Sequence, residues 1–123
     1  MGLDMYLYGV QYRSRFENDV NKTQIVHTQE VYWRKADMIH HWFVENVQDG
    51  YDDCKTYEVS DTQLLELIDT CKDVLQNPEK ASTTLVTDYE YDDVYFKELK
   101  RTIREVTHLL AQNYDWYSYA SSW

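Results

Sequence analysis

Leu3, Met5 and Leu7 alternate with Asp4, Tyr6 and Tyr8 at the start of the chain, a period of two that predicts a strand over about residues 2–12. The stretch from Ser14 to Lys22 is polar, carries Asn18, Asp19 and Asn21, and predicts a loop. Thr23 to Thr28, centred on Ile25 and Val26, predicts a short second strand. From Glu30 to Val47 the apolar positions Trp33, Ala36, Ile39 or His40, Phe43 and Val47 recur at steps of three and four, which predicts an amphipathic helix. That helix should stop before Asp49-Gly50, where Gly50 supplies a positive-φ position, and the acidic run Asp49 to Asp53 should be a loop.

Thr56, Tyr57 and Val59 suggest another short strand. Ser60-Asp61-Thr62-Gln63 then has the form of a capping box, in which the Ser hydroxyl and the Gln side chain each satisfy a backbone N–H at a helix start. Leu64, Leu67, Ile68, Cys71, Val74 and Leu75 share one face of the helix that follows, and Asn77-Pro78 stops it, because the residue before Pro is pushed out of helical geometry. Residues 78–92 form one long connection. Val94 to Gln112 is the clearest helix, with Phe96, Leu99, Ile103, Val106 and Leu110 as its seam. The tail from Tyr114 to Trp123 predicts a last strand, with Tyr117 and Tyr119 on one side and Trp116 on the other, that can pair with the first. The expected architecture is α+β: three helices on a small antiparallel sheet, as a single domain over residues 1–123.

Composition agrees with one domain, since 123 residues suit a single core and 43% hydrophobic content is enough to fill it. No apolar run approaches the roughly 18 residues of a membrane span, and the N-terminus lacks a basic region followed by an apolar stretch. A soluble chain that is not exported is expected. Tyr6 stands where a myristoylation signal wants Ser or Thr, and Ser121-Ser122-Trp123 is no prenylation box. Cys54 and Cys71 are the two cysteines, expected as free thiols in a reducing compartment.

Charge changes the picture more. Residues 1–44 hold five acids and five bases, residues 45–98 hold fifteen acids against four bases, a net of −11, and the remainder holds two acids and three bases. An acidic field of this kind repels phosphate backbones and attracts basic proteins, so direct nucleic-acid binding is disfavoured.

Two stretches could carry function. Asp88-Tyr89-Glu90-Tyr91-Asp92-Asp93 interleaves acids with tyrosines, which suits a protein-binding edge: Tyr offers contact area at low entropic cost and carboxylates select a basic partner. Asp52 and Asp53 extend the same acidic character. The alternative is Tyr32, Trp33, Arg34, Lys35 and His40, with His41 nearby, within three turns of the expected first helix. There an aromatic plane and two cations could hold a nucleotide or another anion. No Gly-rich phosphate loop accompanies them, and the plain reading is a core Trp beside an exposed cationic edge. His27, His40, His41 and His108 include no pair at i, i+4, neither cysteine has a second nearby, and Asp49, Asp52 and Asp53 lack the ligand order of a calcium loop, so no metal and no cofactor are expected. Catalytic pairs such as Cys54 with a His, or Asp4 with Glu90, would require meetings that spacing alone does not show.

Met1-Gly2-Leu3-Asp4-Met5-Tyr6-Leu7, Tyr32-Trp33-Arg34-Lys35-Ala36 with Ile39-His40 to Trp42-Phe43, Asp49-Gly50 to Asp52-Asp53-Cys54, and Ser121-Ser122-Trp123 resemble a group of small uncharacterised bacteriophage and prophage proteins. The resemblance spans nearly the whole chain and implies an origin, with action in the cytoplasm of an infected bacterium, rather than a reaction. The expected function is therefore an acidic accessory that binds and blocks a host protein, such as an anti-CRISPR inhibitor occupying a nucleic-acid channel. The alternative is a small-molecule binder, a sponge for a nucleotide signal. A small enzyme would need a pocket joining His40, Cys54 or Asp4. The two leading readings use different surfaces: the acidic one lies in residues 45–98 and the cationic one in the charge-balanced part before it.

Overall fold

A computed structural model describes residues 2–14 and 23–123. The elements run β1 (Asp4–Ser14), β2 (Thr23–Arg34), α1 (Asp37–Asn46), β3 (Tyr57–Val59), α2 (Asp61–Gln76), a 3₁₀ turn (Pro78–Lys80), α3 (Ala81–Thr84), α4 (Asp93–Ala111) and β4 (Trp116–Ser122). The strands form an antiparallel sheet in the order β2-β1-β4-β3, so the last strand does lie beside the first, with Asp4 opposite Ser122 and Val10 opposite Trp116. The α+β class is as expected. The helix count is not: four α-helices among the described residues replace three, because the connection after Pro78 coils into the 3₁₀ turn and the one-turn α3. Pro fits the first helical positions, where its missing N–H has no intrahelical partner to lose. The loop expected from Ser14 to Lys22 lies outside the described residues from position 15 onward.

The largest correction concerns residues 30–36. They are not the start of a helix; β2 continues to Arg34 and α1 begins only at Asp37. Trp33 and Ala36 fit a helical step, but Val31 and Trp33 also alternate with Tyr32 and Arg34, and Val31, Tyr32 and Trp33 are residues that suit a pleated, half-buried surface. Pairing with β1 decides the matter, since Leu7, Tyr6 and Met5 stand opposite Val31, Tyr32 and Trp33. Lys35 then breaks the strand with a φ of 59°.

Leu7 pairs with Val31 and Tyr8 with Gln29, which leaves Glu30 as a bulge. Its carboxylate accepts hydrogen bonds from Tyr114 Oη at 2.6 Å and Gln112 Nε2 at 3.0 Å. The Tyr114 ring lies against Gly9, where a Cβ would stand 2.2 Å from Tyr114 Cδ2. Only glycine admits the ring, and the bulge and the glycine together seat the turn between α4 and β4.

One sheet face and the helices share a core that includes Met5, Leu7, Val31, Trp33, Phe43, Leu64, Leu67, Leu99, Val106 and Tyr119. The capping box at Ser60 is present in full, and α2 buries Leu64, Leu67, Ile68, Cys71 and Val74 as expected. On α4 the buried stripe is Tyr95, Leu99, Thr102, Val106 and Leu109, with Phe96, Ile103 and Leu110 only partly buried beside it. The stripe is rotated from the purely apolar one because two polar positions have partners inside. Thr102 Oγ1 accepts from Trp33 Nε1 at 2.9 Å, and Tyr95 Oη donates to the Leu85 carbonyl at 2.7 Å. On the opposite sheet face Tyr6 contacts Tyr8 and Tyr32, and the Tyr32 hydroxyl donates to Asp4.

Candidate functional site

The end of β2 delivers Arg34 and Lys35 to the first turn of α1, and the segment after α3 returns across the same turn. Asp37, 8% exposed, fastens that return. Its carboxylate accepts from Thr87 Oγ1 at 2.6 Å and from the Asp88 backbone N–H at 2.8 Å. Tyr95 holds Leu85 from α4, Tyr91 packs edge-on against Tyr95 with ring centres 5.1 Å apart, and Tyr91 Oη accepts from the Thr87 N–H at 3.3 Å. Asp92 caps α4 by accepting from the Tyr95 N–H at 3.1 Å. Between these pieces lies a cleft of about 340 Å³. It is lined by Arg34 and Lys35, by Ala36, Asp37 and Met38 of the α1 start, by Thr87, Tyr89, Glu90 and Asp92, and by Val94, Tyr95 and Glu98 of α4.

This cleft joins the two stretches that the sequence placed on different surfaces. The cations Arg34 and Lys35 and the acidic-aromatic residues Tyr89, Glu90 and Asp92 border one space. The rest of the cationic group is dispersed. Trp33 is fully buried against Thr102, Tyr32 faces the other side of the sheet, and His40 lies in the core of α1. The nucleotide pocket of Tyr32, Trp33, Arg34, Lys35 and His40 on one helix is therefore not assembled, because three of the five belong to a strand whose side chains alternate faces.

His40 bridges Tyr119 and Asp52, with Nδ1 2.7 Å from Tyr119 Oη and Nε2 2.7 Å from Asp52 Oδ1. Burial raises the Tyr119 pKa far above the ordinary phenol value, so its hydroxyl stays protonated. One arrangement consistent with that state has Tyr119 donating to Nδ1 and Nε2–H donating to Asp52. Tyr119 is wholly buried and stacked on Phe43 with ring centres 3.8 Å apart, so the chain of bonds tethers the loop holding Asp52 to the core and exposes no hydroxyl to a substrate. Asp53 is also engaged: its carboxylate accepts from Tyr57 Oη at 2.8 Å and from the Lys55 N–H at 3.2 Å. The Tyr57 bond is the main reason its pKa falls below the ordinary carboxylate value. Asp52 and Asp53 thus hold their own loop, and neither lines the cleft.

The segment Asp88 to Asp93 divides in a similar way. Asp92 caps a helix, whereas Tyr89 is 63% exposed, and Asp88, Glu90 and Asp93 are exposed with carboxylates that have no ion-pair partner among the described residues. Among those same residues no group of three or more His, Cys, Asp or Glu side chains is placed to hold a metal ion. No helix there is long and apolar enough to cross a membrane. A second cavity, about 480 Å³, borders β3, the start of α2, the end of α4 and the start of β4, and is lined by none of the candidate binding residues named from sequence.

Ala36, Asp37, Met38, Thr87, Val94, Tyr95 and Glu98 are the lining residues that sequence reasoning did not name as part of a site. Asp37 alone carried a signal, an acid at a helix start, and that was hidden by the misplaced helix boundary. Fold and cleft together define an acidic α+β protein with a mixed-charge cleft between two helix starts. Comparisons with protein-family models, curated proteins and solved structures give no match to the chain.

Proposed function

We propose that the chain is a protein-binding accessory that engages a basic partner through the edge formed by residues 86–94. The partner in this reading is a bacterial protein with a nucleic-acid-binding surface, a component of a defence system such as a CRISPR nuclease, met in the cytoplasm of a phage-infected cell. One observation carries it. Val86, Tyr89, Tyr91 and Val94 are 41%, 63%, 40% and 67% exposed, four of the ten large hydrophobic side chains that stand exposed among the described residues. They fall within nine residues and are interleaved with Asp88, Glu90, Asp92 and Asp93. Clustered apolar contact area interleaved with carboxylates is the composition of an interface that selects a basic partner. The resemblance to phage proteins supplies the host context.

The test is inhibition of nucleic-acid cleavage by a panel of CRISPR nucleases, with complex formation followed at low and high salt. A salt-sensitive complex that blocks cleavage and is weakened about tenfold or more by Tyr89→Ala supports the reading. Absence of any complex across the panel, or a complex indifferent to both salt and Tyr89→Ala, rejects it.

A further inference from the structure

We propose that the interior of the cleft is a binding site for a small monoanionic carboxylate with an apolar body, a role that uses the inner lining and requires no macromolecular partner. The charged donors available there are Arg34 and Lys35. Among the described residues neither Arg34 nor Lys35 forms an ion pair or a side-chain hydrogen bond, although both border the cavity. Most of the carboxylates beside them are already engaged: Asp37 accepts two hydrogen bonds, Asp92 caps α4, and Glu98 pairs with Arg101 at 3.0 Å. Glu90 is the remaining one. The unmatched charged capacity of the lining, that of the two cations set against Glu90, therefore favours an acceptor such as a single carboxylate.

The rest of the lining restricts the ligand further. Beside the nearly fully buried Ala36, Met38 and Tyr95, the lining also includes Tyr89 and Val94, which expose apolar surface to a volume of about 340 Å³. That is enough for a small ring or short aliphatic body, near the lower end of small-molecule pockets. The formal charges of Asp37, Glu90, Asp92 and Glu98 act against every anion, and a phosphate dianion meets that repulsion with about twice the charge of a carboxylate. One negative charge on an apolar body is the combination that both groups of residues accept.

The probes are phenylacetate, its neutral isostere phenylacetamide, and phenyl phosphate, each titrated while backbone amide chemical shifts are followed. Phenylacetate should give saturable shifts at Met38, Thr87, Val94 and Tyr95 and bind about tenfold or more tighter than either of the others. The double substitution Arg34→Gln with Lys35→Gly should remove that preference. Gly is used because Lys35 sits at a φ of 59°, where glycine is unstrained. The comparison of the three probes on the unaltered chain stands even if the double variant folds poorly. Equal affinity for the amide, shifts at residues away from the cleft, no saturable shift at millimolar phenylacetate, or a preference that survives in a folded double variant would each overturn the assignment.

Discussion

Replacing Asp37 tests how the cleft is held. The Asp37→Ala chain loses two hydrogen bonds to a nearly buried carboxylate, from Thr87 Oγ1 at 2.6 Å and the Asp88 N–H at 2.8 Å. Hydrogen bonds to a charged group contribute about 1.5–3 kcal/mol each, and favourable charge at a helix start adds about 0.3–1 kcal/mol. Some of this is recovered, since Asp88 is exposed and its freed N–H can reach water, so a net loss near 3 kcal/mol is expected. With a urea dependence of about 2 kcal/mol per molar, the unfolding midpoint should fall by about 1.5 M. Asp37→Asn keeps the shape and some of the bonding and should lose about half as much. Urea titrations followed by both tryptophan fluorescence and circular dichroism measure the loss, and amide exchange should quicken first at Thr87 and Asp88. An Asp37→Ala midpoint within about 0.3 M of the parent would refute the claim that this carboxylate fastens the segment.

Three other outcomes follow from local geometry. Gly9→Ala should destabilise by about 1–3 kcal/mol, because its Cβ would overlap the Tyr114 ring, and thermal unfolding reads the shift directly. In the folded protein the exposed Cys54 should react readily with a thiol reagent. Cys71 should react only on unfolding, since it is buried and its thiol is pushed up to about 12 by burial; fast reaction of both thiols in the native state would contradict the packing of α2. Tyr57→Phe removes the hydroxyl that lowers the Asp53 pKa, so the carboxylate's titration midpoint, followed by carbon NMR, should rise toward the ordinary value. Since the folded value is the depressed one, what the Tyr57 bond contributes is present above the unfolded pKa and is lost as pH falls through the folded one. A midpoint unchanged in the variant would exclude the bond as the cause.

Much of the fold was legible because local and global signals agree. The alternation at Leu3, Met5 and Leu7, the capping box at Ser60 and Gln63, and the long apolar repeat of α4 each specify their element without help from distant residues. Residues 30–36 were not legible, because Val31, Trp33 and Ala36 satisfy a period of two and a step of three at once. What separates them is pairing with Met5, Tyr6 and Leu7, far away in sequence. The site was legible in pieces. Arg34, Lys35, Tyr89 and Glu90 could be named as chemistry-bearing residues, yet their meeting depends on Asp37 reaching Thr87 and Asp88, fifty residues on. Asp52 and Asp53 illustrate the converse: in sequence they are indistinguishable from free acids, and only the positions of His40 and Tyr57 engage them in the loop.

The central claim is that the exposed acidic-aromatic edge, rather than net charge alone, selects a basic partner. Two charge-reversed proteins decide it when their affinities for one partner are compared by calorimetry. One carries Asp88→Lys, Glu90→Lys and Asp93→Lys, with Asp92 left in place because it caps α4. The other carries Glu66→Lys and Asp69→Lys on the exposed face of α2. The account predicts that the edge variant binds about a hundredfold more weakly while the α2 variant stays within about threefold of the parent. Equal weakening of both, or none in the edge variant, would contradict it.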